Sequence, residues 1–317
     1  MTGSSSSSGA VAPNDDSYTM CLRTVQSSTF KNLIDILKEE LMDTPIEFDE
    51  TGMKIVAMDT TRSVLAHVFL PADKFEHYTC KRKVMIGVNM LNFQKIIRTI
   101  TNDEILTLAL NANDPNNLEV ERNDGKGRHT TQHFKLIDLG SEKMNLNAMK
   151  FKTVTSMPAA DFQKICRDMQ SLAEFMEIKD VDNQLIFSCS GDFCSQETVI
   201  CEDRRASSSA QQAAVDEAGG GGDGDADRER RRNAHDIVQG IFEIKHLVTF
   251  AKCSNMCNTV TLMLKNEVPM LVKYDVGSLG EVKFLLAAHV EDEDDDDEDD
   301  RGHGSGPEGD EGVSATV

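Results

Sequence analysis

A phenylalanine-led apolar stripe recurs four times along this chain, and that recurrence constrains the fold more than any other feature. The stripes are Phe30, Leu33, Ile34 and Leu37; Phe93, Ile96, Ile97 and Ile100; Phe162, Ile165, Cys166 and Met169; and Phe250, Cys253, Ser254 and Cys257. Each follows the i, i+3, i+4, i+7 spacing of a helix that buries one side. At about 100° per residue, the second and fifth positions after the phenylalanine point away from the stripe. The second position is Lys95, Lys164 and Lys252 in three of the four, and the fifth is Arg98 and Arg167 in two. Segments 92–98 (NFQKIIR) and 161–167 (DFQKICR) match almost letter for letter. Repeated half-buried helices with basic outer faces read as duplicated modules that present Lys and Arg to a polyanion.

Between the helices lie runs rich in Val, Ile, Leu, Phe and Thr, separated by turn signals at 50–52 (ETG) and 123–125 (NDG). Strands are expected at 53–59, 63–70, 83–88, 105–110, 118–121 and 130–137, then again at 176–181, 185–189, 198–201, 259–264, 270–274 and 281–286. The fourth helix is expected over about 245–255. The last interval between stripe phenylalanines is too long, and the excess falls in 202–235, a Ser-, Gly- and Arg-rich stretch of linker composition. The chain therefore divides into a Ser/Gly-rich tail (1–17), one domain (18–137), a connector (138–150), a second domain (151–290) carrying the 202–235 insertion, and an acidic tail (291–317). Helices on one face of mostly antiparallel strands, without βαβ alternation, define an α+β class with two similar domains.

Formal net charge is −21, and the 291–317 tail alone carries thirteen acids against one Arg. An acidic chain is a poor candidate for ordinary nucleic-acid binding, so the basic helix faces are a local feature set against an acidic body. The 228–232 run (RERRR) is interleaved with acid and reads as solvated linker. No secretory leader and no membrane-length apolar run is visible. The eight cysteines lack metal-ligand spacing and read as free thiols in a reducing compartment. His67, His77, His129, His133 and His246 are scattered, with neither a catalytic constellation nor a phosphate loop beside them. No enzyme activity, cofactor or metal is expected.

Taken in order, segments 57–60 (AMDT), 77–80 (HYTC), 85–89 (MIGVN), 105–108 (ILTL), 135–139 (KLIDL), 157–158 (MP), 162–168 (FQKICRD), 187–191 (FSCSG), 258–262 (NTVTL), 268–274 (VPMLVKY) and 286–292 (LAAHVED) resemble the eukaryotic-type DNA sliding clamps, the proliferating cell nuclear antigen family. The match is collinear from about residue 18 to 292 and skips only the linker and the tails. The resemblance implies two clamp domains per chain and a closed homotrimeric ring. Helices line its channel, duplex DNA threads through it, and a polymerase, a clamp loader and other replication and repair proteins dock outside by short peptides. It implies a processivity factor without catalysis, located in the nucleus. A topological ring also resolves the charge conflict, because a few channel cations suffice for weak, sequence-independent contact.

Carried onto this sequence, the resemblance nominates Lys31, Lys38, Lys95, Arg98, Lys164, Arg167, Lys245 and Lys252 for the channel, with Asn32 standing where relatives often carry another Lys. It nominates Met58, Asp59, Ser63, Met144, Leu146, Pro269, Leu285, Ala287 and Ala288 for a partner-peptide groove. Two departures stand out there: Ser63 occupies a usually apolar position, and Leu285 replaces a usual Tyr. Subunit joints would pair the edges near 129–135 and 195–201. An alternative reading with the same fold is a subunit of a heterotrimeric checkpoint clamp or a specialised clamp paralogue. A third, suggested by the acidic tail, is an acidic chaperone or a histone-binding protein.

Overall fold

The computed structural model describes residues 17–140, 149–181, 184–201 and 237–289. The groove positions Met144 and Leu146, the 202–235 insertion and most of both tails lie outside the described residues.

Four copies of one βαβββ unit account for nearly every element. The first is β1 (Tyr18–Thr24), α1 (Ser27–Glu40), β2 (Asp43–Asp49), β3 (Gly52–Met58) and β4 (Val64–Pro71). A short strand, β5 (His77–Cys80), leads to the second: β6 (Val84–Asn89), α2 (Met90–Ile97), β7 (Ile105–Asn111), β8 (Asn117–Asn123) and β9 (His129–Lys135). The third is β10 (Thr153–Pro158), α3 (Ala159–Gln170), β11 (Phe175–Val181), β12 (Gln184–Ser190) and β13 (Ser195–Cys201). The fourth is β14 (Val238–Glu243), α4 (Ile244–Ala251), β15 (Thr259–Leu264), β16 (Met270–Val276) and β17 (Gly280–Leu286).

Units fuse in pairs by exchanging their first strands. β1 pairs with β7 of the second unit, while β6 pairs with β2 of the first. The same exchange joins β10 to β15 and β14 to β11. Each exchange satisfies backbone donors and acceptors that neither unit could pair alone, so the pair is the folding domain. The two domains are then welded by antiparallel pairing of β4 with β17, from Val64↔Leu286 to Phe69↔Glu281. The result is an eight-stranded sheet, β10-β15-β16-β17-β4-β3-β2-β6, flanked by a five-stranded sheet, β5-β1-β7-β8-β9, and a four-stranded one, β13-β12-β11-β14.

The expected stripes lie at the core. Phe30, Phe93, Phe162 and Phe250 are fully buried, with Leu33, Ile34, Leu37, Ile97, Cys166 and Met169 beneath them. β4 shows the period-two pattern of a one-faced strand, with Val64, Ala66, Val68 and Leu70 inward. Asn89 caps α2, its side chain accepting from Asn92 N at 3.1 Å.

The structure corrects three expectations. The fourth stripe does not continue as α-helix to Cys257: α4 ends at Ala251, a 3-10 turn covers Lys252–Asn255, and Ser254 and Cys257 are only half-buried. A strand precedes every helix, whereas the sequence pattern points only to β6 and misses β1, β10 and β14. Those three lie close to the helix starts, where a few residues are shared between two periods. β2, which contains Pro45, and the short β5 are also additions to the expected set.

Candidate nucleic-acid interface and peptide groove

The four helices form one layer: α1 packs beside α2, α3 beside α4, and α1 against α4 across the domain boundary. The glutamine shared by the two near-identical segments does the same job twice. Gln94 Nε2 donates to Asp35 Oδ1 on α1 at 2.6 Å, and Gln163 Nε2 donates to the Ala251 carbonyl of α4 at 3.2 Å. Each therefore holds its helix to the partner helix.

All eight nominated cations sit on or directly after these helices, but they are not equivalent. Lys95, Arg98, Lys164, Arg167 and Lys245 are exposed, and Lys31, Lys38 and Lys252 are half-exposed. Lys31 Nζ donates to the Ile100 carbonyl at 3.3 Å, and Lys95 Nζ to Asn92 Oδ1 at 3.1 Å. Lys245 is ion-paired with Glu243, and Lys252 with Glu39 of the other domain. The pairing with Glu243 pushes the Lys245 ammonium pKa upward, so its charge is secure but partly neutralised. Lys38, Arg98, Lys164 and Arg167 have no carboxylate partner within ion-pair distance among the described residues. Lys38 and Arg167 lie in last turns, and Arg98 and Lys252 at C-caps, where the helix dipole favours a cation.

The described groove positions gather at one end of the shared sheet, at the domain boundary. Met58, 36% exposed, closes β3. Register places Met58, Leu65, Leu285 and Leu271 in one cross-strand row over β3, β4, β17 and β16. Leu65 and Leu271 are not among the positions nominated from sequence; only the strand register, which is not legible without pairing, puts them beside Met58. Ser63 and Pro269 are half-buried, Ala287 is exposed, and Ala287 N donates to the Ser63 carbonyl at 2.8 Å. Asp59 faces its own turn: Oδ1 accepts from Val64 N at 2.9 Å and Oδ2 from Thr61 N at 3.3 Å. Burial pushes the Asp59 carboxyl up, but the Thr61 and Val64 hydrogen bonds outweigh it and hold its pKa below the ordinary value. Asp59 thus shapes the β3–β4 loop that presents Ser63, where Arg62 adopts a left-handed φ of 62°.

Where the connector begins, Ile137 N donates to the Gly87 carbonyl on β6 at 2.9 Å. A groove of about 650 Å³ opens there, lined by Pro45, Lys83, Met85, Gly87, Ile137 and Leu139 among others. A second groove, about 520 Å³, lies between α3 and β13, bounded by Lys164, Ile165, Asp168, Thr198 and Ile200 among others.

All eight cysteines are free; Cys21, Cys166, Cys189 and Cys253 are buried, and Cys194 and Cys201 are exposed. Burial pushes the Cys166 and Cys253 thiols well above their ordinary pKa, so both stay protonated and inert. Among the described residues no cluster of His, Cys, Asp and Glu has metal-site geometry.

A duplicated α+β chain, with helices in one layer, cations along that layer and sheets behind it, defines the class of DNA sliding clamps. Family models agree: the N-terminal domain of proliferating cell nuclear antigen matches residues 20–143, and its C-terminal domain matches 145–218 and 225–289. The chain belongs to the proliferating cell nuclear antigen family, and its function is that of a sliding clamp and DNA polymerase processivity factor.

Among its relatives, the probable DNA polymerase sliding clamp 1 of Paramecium bursaria Chlorella virus 1 is 32% identical over 280 residues, covering 86% of this chain and 98% of the viral one. The proliferating cell nuclear antigen of Chaetomium thermophilum is 28% identical over 272 residues, with the same two coverages, 86% and 98%. The crystal structure of the Entamoeba histolytica protein of that name superposes with a TM-score of 0.71 at 18% identity, covering 86% of this chain and 100% of that one, a likeness of fold. The checkpoint-clamp alternative is not favoured by these relatives.

Proposed function

We propose that this chain closes into a homotrimeric ring whose helix layer lines a channel for duplex DNA, and that it carries polymerase and other replication and repair enzymes on its outer face without catalysis of its own. One observation carries the ring. The third meander strands of the first and fourth units, β4 and β17, pair within the chain, while their counterparts in the second and third units, β9 and β13, are edge strands of their sheets among the described residues. Pairing β9 of one copy with β13 of the next would repeat the internal joint between chains. That contact is head-to-tail, so it propagates around a ring and removes both edges once it closes.

In this reading Lys38, Arg98, Lys164 and Arg167 make the principal phosphate contacts, with Lys31, Lys95, Lys245 and Lys252 secondary because the chain itself already engages them. The apolar row from Met58 to Leu271, together with Pro269, Ala287, Ala288 and the connector positions Met144 and Leu146, takes the anchor residues of partner peptides. Met58 suits a slot with several partners because its thioether repacks readily. Nuclear location belongs to the same reading and rests on family likeness alone.

Size-exclusion chromatography with light scattering tests the ring. A mass near three times 35.0 kDa is expected. Thr198→Lys on β13 should lower it to that of one chain by charging the proposed joint. A wild-type chain that stays monomeric at micromolar concentration overturns the homotrimer.

A further inference from the structure

The acidic tail has a defined point of departure. His289, the last described residue, stacks on Phe175 with ring centroids 4.2 Å apart, and its amide donates to the Ile241 carbonyl at 2.7 Å. Phe175 opens β11 just after α3 ends, and Ile241 lies on β14 just before α4 begins. Ile244 N also donates to the Glu174 carbonyl at 2.9 Å, closing the same corner. The chain therefore leaves the body where the C-terminal end of α3 meets the N-terminal end of α4, at one end of the basic helix layer.

What leaves there is strongly charged. Residues 291–300 are ten consecutive acids, and the whole 291–317 stretch holds thirteen acids against one Arg. The charge beside the exit point is uneven. Lys245 is held by Glu243, with Glu174 and Glu40 also acting on it, so it is a poor seat for further acid. Arg167, in the last turn of α3, and Lys164, one turn earlier, are exposed and have no carboxylate partner among the described residues. A helix of 12 residues is about 18 Å long, a span that about six residues of extended chain can cover. Tethering holds the acids near α3 at an effective concentration on the order of millimolar.

We infer that the 291–300 segment seats on Lys164 and Arg167 of its own α3 and competes there with duplex phosphate. The competition rests on the proposed channel reading; the seat itself does not. The tail then acts as an exchangeable stand-in for nucleic acid. It occupies two of the four nominated cations that have neither an ion-pair nor a hydrogen-bond partner among the described residues when the channel is empty, and yields them to a duplex, whose phosphates are more numerous. Because both contacts are electrostatic, the seat weakens as salt rises.

Two measurements on the whole protein test this. The first is zero-length carbodiimide coupling followed by peptide mass spectrometry. At low salt an amide between a carboxylate of 291–300 and Lys164 Nζ is expected, absent at half-molar salt. Coupling only to lysines away from α3, or none, overturns the seat. The second compares the full chain with a chain ending at His289, and with one whose 291–300 acids are changed to Asn and Gln, for binding of a short labelled duplex by fluorescence anisotropy. Both altered chains are expected to bind about three- to tenfold more tightly near 0.1 M salt, the gap closing as salt rises. Equal affinity of all three chains overturns the competition. If none binds duplex the channel reading fails, and the coupling result still decides where the tail sits.

Discussion

His246 Nδ1 lies 2.8 Å from Glu40 Oε2, both side chains buried, and this contact joins the last turn of α1 to the first turn of α4 across the domain boundary. The other ring nitrogen, Nε2, stands 3.6 Å from Glu243 Oε2. With the Lys252–Glu39 pair beside it and β4–β17 pairing behind, the boundary is tied on both the helix layer and the sheet. In the proposed ring, where helices of both domains face one channel, such a tie would hold the two helix pairs in register.

Removing one partner of the buried pair should cost more than removing both. Glu40→Ala should lower stability by about 2 kcal/mol, because the buried His246 Nδ1 loses its partner while Nε2 keeps only the longer approach to Glu243. The double change Glu40→Leu with His246→Phe should cost much less, since apolar residues of similar volume often replace a buried pair without loss. Chemical denaturation of the wild type, Glu40→Leu, His246→Phe and the double variant gives the coupling energy, with Glu40→Ala measured beside them.

The cations proposed for the channel should rank by how far the chain already engages them. Lys164→Ala combined with Arg167→Ala should reduce the salt dependence of duplex binding, log K against log salt, by roughly 0.9 for each phosphate no longer neutralised. Lys252→Ala should reduce it less, because its ammonium is already shared with Glu39. Anisotropy titrations over a range of salt concentrations give the slopes, and equal effects at all positions would remove the ranking.

Gly87 admits no side chain. A Cβ there would run into the Ile137 carbonyl oxygen and lie 2.8 Å from Leu139 Cγ. Gly87→Ala should therefore displace the start of the connector at a cost of about 1–3 kcal/mol. It should weaken binding of a partner peptide while leaving duplex binding unchanged. Thermal unfolding with peptide and duplex titrations on one variant separates the three effects.

Acid should loosen the shared sheet. Register sets Lys273 directly opposite Lys283, a repulsive pair unless a carboxylate lies between them. Glu281 bonds both, at 2.8 Å to Lys273; burial alone would raise its pKa, but these bonds outweigh it and hold it below the ordinary value. Asp49 is likewise held at about 2, against burial, by Lys54 and Thr51. A carboxyl with a lowered folded pKa stabilises the fold above its unfolded value, near 4, and loses that contribution as pH falls toward the folded value. The melting temperature should drop between about pH 4 and pH 2, and Glu281→Gln should flatten part of that drop.

The fold is legible in the sequence where a period runs long enough to read. Phe30 and Phe162 each head a stripe that runs two turns along one helix, whereas the Phe93 and Phe250 stripes outrun α2 and α4; all four rings are nonetheless fully buried. The strands leading into α1, α3 and α4 are not legible, since their alternation is cut short by the helix that follows. The exchange of β1 for β6 cannot be read at all, because pairing is a long-range choice that local pattern does not encode. All eight nominated cations lie on or directly after the four helices, yet sequence does not tell that Lys245 and Lys252 are ion-paired with acids, one of them 213 positions away. Leu65 and Leu271 stay hidden for the same reason as the strand exchange: only register brings them to Met58.

Topological retention on DNA tests the central claim most directly. The protein is mixed with a linear duplex biotinylated at both ends, the ends are then blocked with streptavidin, and salt is raised to about 0.5 M, where so small a set of phosphate interactions is largely screened away. A ring threaded on the duplex stays bound while the ends are blocked and is released when a restriction enzyme cuts between them. Release at high salt from the blocked, uncut duplex would contradict encirclement and leave only an electrostatic surface contact.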